Sequence, residues 1–259
     1  MKPAYATDTA LSAFITAALN EDVGDGDHSS LAAIADSAKS SAQLLIKDSG
    51  ILAGVELALK IFNQVDENLK VDVLLADGAA IKPGQIALTV SGSSRSILTA
   101  ERLVLNCMQR MSGIATKTRH LVNLVGDTKC QLLDTRKTTP NFRLAEKWAV
   151  LIGGGSNHRF GLYDMIMLKD NHIDMAGGIK AAILRTNDYL RATKKRLKIE
   201  IETRNLKEVE EVLAVGNVDV IMLDNMDLQT MKTAVNLIDG KYKTEASGGI
   251  TEQTIKSIA

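Results

Sequence analysis

The sequence predicts a mixed α/β fold: an N-terminal α+β sandwich domain over 1–112, then an incomplete TIM-like α/β barrel over 113–259 that carries the candidate site. Three observations lead there. Beyond residue 126, short apolar runs alternate with stretches of helical periodicity, the pattern of a parallel sheet. Each of those runs stops abruptly at charged or glycine-rich residues, and successive parallel strands that release such groups at their C-terminal ends are how a barrel mouth builds a site. Before residue 112 the strands are short, are divided by the turn signals Asp77-Gly78 and Pro83-Gly84, and bring no chemical constellation of their own.

In chain order, residues 8 to 20 place Leu11, Phe14, Ile15, Ala18 and Leu19 on one helical face, with Asp8 or Thr9 as cap. Glu21-Asp22-Val23-Gly24-Asp25-Gly26-Asp27-His28 has the look of a calcium loop but lacks the twelve-residue spacing and closing glutamate, so it reads as a polar turn. Residues 41–47 and 71–75 read as strands with a helix over 54–65 between them, and 86–91 as a further strand. From Ser96 the pattern turns helical, with Ile97, Val104, Cys107, Met108 and Met111 among a broad apolar face. Gly113 is expected to break that helix, with a second following over 114–125. On spacing alone Arg102, inside the first of these helices, is a solvated or i,i+4-paired arginine.

The barrel strands are expected at 131–134, 164–168, 197–202, 218–223 and 243–246. Their ends deliver Arg136 and Lys137, then Lys169, then Glu202, then Asp224, then Ser247-Gly248-Gly249. Singly, each is an ordinary solvated end or helix cap; the succession carries the weight. Asn205 caps the helix after Glu202, with Glu208 as capping-box partner and Leu206, Val209 and Leu213 facing inward. Between the first two strands lie Thr138-Thr139-Pro140, Gly153-Gly154-Gly155 and Ser156-Asn157-His158-Arg159. The glycine run is either a turn or a nest of backbone amides. Arg136, Lys137, His158, Arg159 and Lys169, set among small flexible residues, suit a ligand with several negative charges.

Other classes fall away. Lys+Arg and Asp+Glu are both 31, so net charge is zero, which argues against nucleic-acid binding and makes any anion site local. No apolar run approaches the ~18 residues of a membrane helix and no signal peptide is legible, which points to a cytoplasmic protein without membrane contact. Cys107 and Cys130 sit in apolar surroundings and read as buried thiols of a reducing compartment. No GxGxxG follows a strand, no Walker loop occurs, the histidines lack metal-ligand spacing, and no Ser-His or Cys-His pair is evident.

The words TRKTTP, GGGSNHR, GLYD and LKDNH, in this order and spacing, resemble the quinolinate phosphoribosyltransferase family. The likeness extends from Glu21-Asp22-Val23-Gly24 to Glu245-Ala246-Ser247-Gly248-Gly249-Ile250, nearly the whole chain. It implies transfer of the phosphoribosyl group of phosphoribosyl pyrophosphate to quinolinate, with loss of CO2, in NAD biosynthesis. On that resemblance Arg136, Arg159, Lys169 and, across the dimer, Arg102 hold the dicarboxylate, and Thr135 and His158 are among the substrate-binding residues. Lys137 assists at the pyrophosphate substrate, Ser247-Gly248-Gly249 offers N–H groups to its phosphate, and Lys137, Lys169, Glu202 and Asp224 are catalytic. Glu202 and Asp224 hold Mg²⁺ indirectly, through ribose hydroxyls and water. TAERLVLN matches a family word whose arginine, here Arg102, reaches a neighbouring subunit's site, so a homodimer or higher homo-oligomer is expected. Two other readings stay open: a related phosphoribosyltransferase acting on another acidic aromatic, and an inactive anion-binding protein of the same fold. Asp134, where relatives commonly have a small residue, and Asn141-Phe142, where Gly-Leu is common, read as local variation. Because Thr251 to Ala259 reads as a helix start without a following strand, the natural protein is expected to be longer.

Overall fold

The computed structural model describes residues 2–259. The chain forms two compact units: one runs through Gly126 and takes up Gln131–His158, and the other comprises Asp127–Cys130 with Arg159–Ala259.

The first unit contains α1 (Asp8–Val23), α2 (His28–Ala33), β1 (Lys39–Leu45), β2 (Gly50–Ile51), α3 (Val55–Val65), β3 (Lys70–Val73), β4 (Ala80–Ile81), β5 (Ile86–Ser93), α4 (Ser94–Leu124) and α5 (Arg143–Gly153). β5 lies between β1 and β3 in an antiparallel sheet, and β2 pairs with β4. The core gathers Leu11 and Ile15 of α1, Leu57 and Ile61 of α3, Leu88 of β5, Met111 of α4 and Trp148 of α5, each essentially out of solvent. At ~1.5–3 kcal/mol per buried large apolar side chain, such a core outweighs any one local preference. Thr7, rather than Asp8 or Thr9, caps α1 by accepting from the Ala10 N–H. The calcium-like stretch is a turn whose Asp27 caps α2 through the Ser30 N–H at 3.1 Å. α3 starts at a glycine without a capping side chain. Asp77, from the Asp-Gly turn, supplies the cap by accepting from the N–H groups of Val55 and Glu56.

Helix α4 does not break at Gly113, and the expected division at 112/113 falls inside it. Gly113 is exposed and an added Cβ there would meet nothing. A glycine costs a helix only ~1 kcal/mol, and the buried face continues past it through Ala115 and Thr118. The glycine run at 153–155 is the turn that ends α5, its Gly154 and Gly155 N–H groups donating to carbonyls of that helix. Gly153 ends α5 so close to α4 that a Cβ would lie 2.6 Å from the Ala115 carbonyl oxygen, and Gly154 is the left-handed C-cap. The strand expected at 131–134 is reduced to one parallel bridge, Leu133 to Ser156. Cys107 is buried, which pushes its thiol up to about 12, whereas Cys130 is exposed, contrary to the sequence expectation.

The second unit contains β6 (Ile166–Leu168), α6 (Asp170–Ala176), α7 (Ile179–Thr193), β7 (Ile199–Thr203), α8 (Leu206–Val215), β8 (Val220–Asp224), α9 (Leu228–Ile238), β9 (Lys243–Ser247) and α10 (Ile255–Ile258). The strands form one parallel sheet in the order β6-β7-β8-β9. Ile199, Ile201, Ile221 and Leu223 join Val209, Val212, Ile183 and Ala234 in its core. Asn205 caps α8 as expected, but the Glu208 carboxylate accepts from the Arg204 N–H at 2.7 Å instead of closing a box on Asn205. α10 begins at Ile255 with Thr254, not Thr251, at its N-cap.

Candidate active site

In the first unit the Asp134 N–H donates to the Ser156 carbonyl at 3.1 Å, beside the Leu133–Ser156 bridge. Past that bridge no strand among the described residues holds the stretch to Thr139, and helix α5 supplies side-chain hydrogen bonds instead. Arg143, Glu146 and Lys147 stand at i, i+3 and i+4, on one helical face. Arg143 donates from Nε to Thr138 Oγ1 at 2.9 Å and from Nη2 to the Arg136 carbonyl at 3.3 Å. Glu146 accepts from the Thr139 N–H at 3.0 Å and its hydroxyl at 2.9 Å, and pairs with Arg110. Burial alone would raise the Glu146 carboxyl; the hydrogen bonds from Arg110 and Thr139 outweigh it and hold the group below its usual range.

Lys147 is 1 % exposed and forms an ion pair with Asp134. Asp134 also accepts from the Asn157 amide at 2.6 Å and from the His158 N–H at 2.9 Å. Tyr5 extends the network by donating its hydroxyl to Asn157 Oδ1 at 3.0 Å. Burial, then the nearby Asp134 charge, push that phenol up. Asp134 is thus a buried hub, not local variation. Asn141 has φ 62°, a left-handed conformation that asparagine tolerates nearly as well as the glycine common there.

This hub lies between two of the predicted groups. Thr135, Arg136 and Lys137 follow Asp134 directly, and the Lys137 N–H is turned onto Thr135 Oγ1 at 2.9 Å. Arg136 is half-buried, with an Nε that is out of solvent and has no hydrogen-bond partner, a donor held ready for an acceptor. Lys137 is exposed, His158 is half-buried, and Arg102 is exposed on α4.

In the second unit, register does the positioning. Leu168 pairs with Ile201, so the next residues, Lys169 and Glu202, stand level at the ends of adjacent strands. Asp224 ends β8 opposite Ser247 of β9. Burial first, then the charges of Asp224 and Asp170, raise the Glu202 carboxyl; Lys169 and Arg204 oppose them without winning. Carboxylates that crowd one another at neighbouring strand ends are a donor set that fits a hard divalent cation. Arg159 donates to the Met165 carbonyl at 3.3 Å, which ties it to the approach of β6. Gly248 and Gly249 both have positive φ, at 85° and 65°.

Some residues of this part were not foreseen. Asn225, left-handed at φ 52°, donates its amide to Asp224 at 2.6 Å and its N–H to the Ser247 carbonyl at 2.9 Å. A Cβ on Gly248 would lie 2.2 Å from Asn225 Oδ1, so Gly248 is needed for that approach. A polar residue in the left-handed region just past a strand is a signal that sequence carries only weakly. Glu200, fully buried on β7, shares a strand face with Glu202. The period-2 pattern of Ile199-Glu200-Ile201-Glu202 already marked it.

Residues 27–112 match the family model of the quinolinate phosphoribosyl transferase N-terminal domain, and 114–259 that of the C-terminal domain. The chain is 48% identical over 263 residues to a chloroplastic nicotinate-nucleotide pyrophosphorylase (carboxylating) of Oryza sativa subsp. japonica, covering 96% of this chain and 70% of that protein. It is 41% identical over 244 residues to a probable nicotinate-nucleotide pyrophosphorylase (carboxylating) of Synechocystis, covering 93% and 81%. The crystal structure of NadC from Streptococcus pyogenes superimposes with a TM-score of 0.90 at 40% identity, over 96% of this chain and 87% of that one. No helix among the described residues is long and apolar enough to cross a membrane.

Proposed function

The chain belongs to the quinolinate phosphoribosyltransferase family, and from that premise we propose how its residues perform the family's reaction. The phosphoribosyl group of phosphoribosyl pyrophosphate passes to quinolinate with loss of CO2, giving nicotinate mononucleotide and pyrophosphate for NAD biosynthesis. Quinolinate carries adjacent carboxylates, so it calls for several cations, with arginine favoured for its planar fork. Arg136, Arg159 and Lys169 take that role, and Thr135 and His158 are further substrate-binding residues. Arg136 Nε, buried without a partner, is the observation that carries the assignment, because an unsatisfied buried donor is tolerated where a ligand will accept from it.

The pyridine nitrogen displaces pyrophosphate at the anomeric carbon, and positive charge develops on the ribose as the bond to the leaving group breaks. Glu202, already short of counter-charge, and Asp224 stabilise it. Lys137 and the turn at Ser247, Gly248 and Gly249 bind the phosphate groups. The same two carboxylates would hold Mg²⁺, through ribose hydroxyls and water. When bound, it supplies positive charge to the departing pyrophosphate. Once the ring nitrogen is alkylated, the 2-carboxylate leaves as CO2, its electron pair is stabilised at C2 beside N⁺, and C2 takes up a proton from solvent to give nicotinate mononucleotide. Arg102, exposed on α4, completes the site of a second copy, and the working enzyme is a homodimer or larger. A cytoplasmic location belongs to the same proposal; relatives in Oryza and Nicotiana are named chloroplastic and mitochondrial, so cell fractionation decides the compartment here.

Quinolinate labelled at the 2-carboxylate tests the reading. Release of labelled CO2 that depends on phosphoribosyl pyrophosphate supports it. Turnover of another acidic aromatic without CO2 release, or binding without turnover, overturns it.

A further inference from the structure

Helix α5 contributes no residue to the proposed chemistry, yet its most deeply buried polar groups all point at the loop that does. Lys147 is the strongest case: a lysine 1 % exposed, in an ion pair whose partner Asp134 immediately precedes Thr135, Arg136 and Lys137. Burying such a pair is costly, and apolar residues of similar volume often serve stability as well or better. Its presence therefore calls for a reason other than stability. Asp134 Oδ1 accepts from the His158 N–H and Oδ2 from Asn157, whose amide also donates to the Lys147 carbonyl at 2.9 Å. One carboxylate thus fixes the start of the Thr135 loop and the chain at His158 with the same atoms. Arg143 and Glu146 fix the far end of the loop, at Arg136, Thr138 and Thr139.

We infer that the face of α5 formed by Arg143, Glu146 and Lys147 is a positioning device, which braces the Asp134–Thr139 loop so that Arg136 and its neighbours stand in the quinolinate-binding arrangement before any ligand arrives. The inference rests on the proposed role of that loop in holding quinolinate. An irregular loop has many conformations to lose on binding, and side chains locked in advance by packing and hydrogen bonds remove that cost from the binding step. Lys147 and Asp134 touch no substrate in this scheme and act through Arg136, Lys137 and His158.

The test separates positioning from plain stability. In Asp134→Asn/Lys147→Met both charges go together, so neither is left stranded. The folded double variant should bind quinolinate about tenfold or more weakly, since small misplacements of binding groups have effects of that order. Its affinity for magnesium phosphoribosyl pyrophosphate, to which the braced loop brings only Lys137 while the strand ends of the second unit bring the rest, should fall by a clearly smaller factor than its quinolinate affinity. Quinolinate affinity within about twofold of wild type, with Arg136→Ala impaired, would show that the network only stabilises and overturn the inference. Unchanged affinity in Arg136→Ala itself would remove the site assignment and take the inference with it. Should the double variant not fold, hydrogen exchange on the ligand-free wild type decides. Protection of the Thr139 N–H, bonded to Glu146, by about a hundredfold or more supports a braced loop. Exchange at the rate of unstructured chain would overturn it.

Discussion

The two units hold their candidate site residues in opposite ways. Around Asp134 every buried charge is matched: Lys147 by Asp134, and Glu146 by Arg110 and Thr139. At the ends of β6, β7 and β8 the charges are mismatched, and Glu202 is left with its carboxyl raised by burial and by its neighbours. The contrast follows from the backbone. Strand ends inherit their positions from the ladder, so their side chains are free to be poorly satisfied, and that dissatisfaction is available to a ligand. A loop whose only ladder contact among the described residues is the Leu133–Ser156 bridge must be held by side chains, and side chains that hold must be satisfied. Of the proposed cations, Arg136 is the point where the braced part keeps a donor unspent.

The harshest way to break this comparison is to strand a charge in each part. Lys147→Ala leaves Asp134 buried without its ion-pair partner, which should destabilise the protein by ~3–5 kcal/mol. Lys169→Ala, at an exposed strand end, should move stability by no more than about 0.5 kcal/mol. Denaturant unfolding of both reads the difference, and equal losses would show that the parts are not held differently. Binding reverses the ranking. Arg136→Ala, Arg159→Ala and Lys169→Ala should each lose about 1.5–3 kcal/mol of quinolinate affinity, roughly 10- to 150-fold, by calorimetry. Full affinity in all three would remove these residues from the site.

How far the sequence carried this picture follows the same contrast. The strands at 164–168, 197–202, 218–223 and 243–246 formed within a few residues of expectation. β6 and β8 announce themselves by continuous apolar runs, whereas β7 alternates and β9 is largely polar, and both were placed by the strand–helix rhythm around them. Their end groups were therefore legible too. The bracing of the loop was not, since Lys147 meeting Asp134 is a tertiary event that no local period encodes. Helix α5 itself was not among the expected elements, so the common face of Arg143, Glu146 and Lys147 went unread with it. Gly113 misled for a related reason. A glycine's local cost is visible in sequence, whereas the continuation of one buried face across it, from Met111 to Ala115 and Thr118, is not.

A gentler probe sharpens the ladder side. Gly248 has φ 85° and lies against the Asn225 amide, which in turn donates to Asp224. Gly248→Ala puts a Cβ into that amide and strains the backbone by ~1–2 kcal/mol. Asn225 should be displaced and Asp224 lose its orienting bond, so affinity for phosphoribosyl pyrophosphate should fall while quinolinate affinity holds. A fall in both alike would mean that the two parts respond as one.

The smallest expected effect concerns Glu202, and its sign is what matters. The folded protein raises this carboxyl above its unfolded value of about 4.3, so the neutral form is the one that folding favours. The stability this contributes is fully present below the unfolded value and is lost as pH rises through the higher folded one. Glu202→Gln keeps the neutral shape at every pH. It should therefore be slightly more stable than wild type at neutral pH, and the advantage should vanish as the solution is acidified below about 4. Activity should move the other way, falling at neutral pH because the ribose charge has lost a carboxylate. Asp224→Asn separates the causes. Burial raises the Glu202 carboxyl more than the Asp224 charge does, so most of the pH slope in stability should survive that substitution. Melting temperatures of wild type, Glu202→Gln and Asp224→Asn across this range measure all of this. A Glu202→Gln difference that stays flat with pH would mean that Glu202 is not under electrostatic strain, and that the ladder side is as well satisfied as the loop.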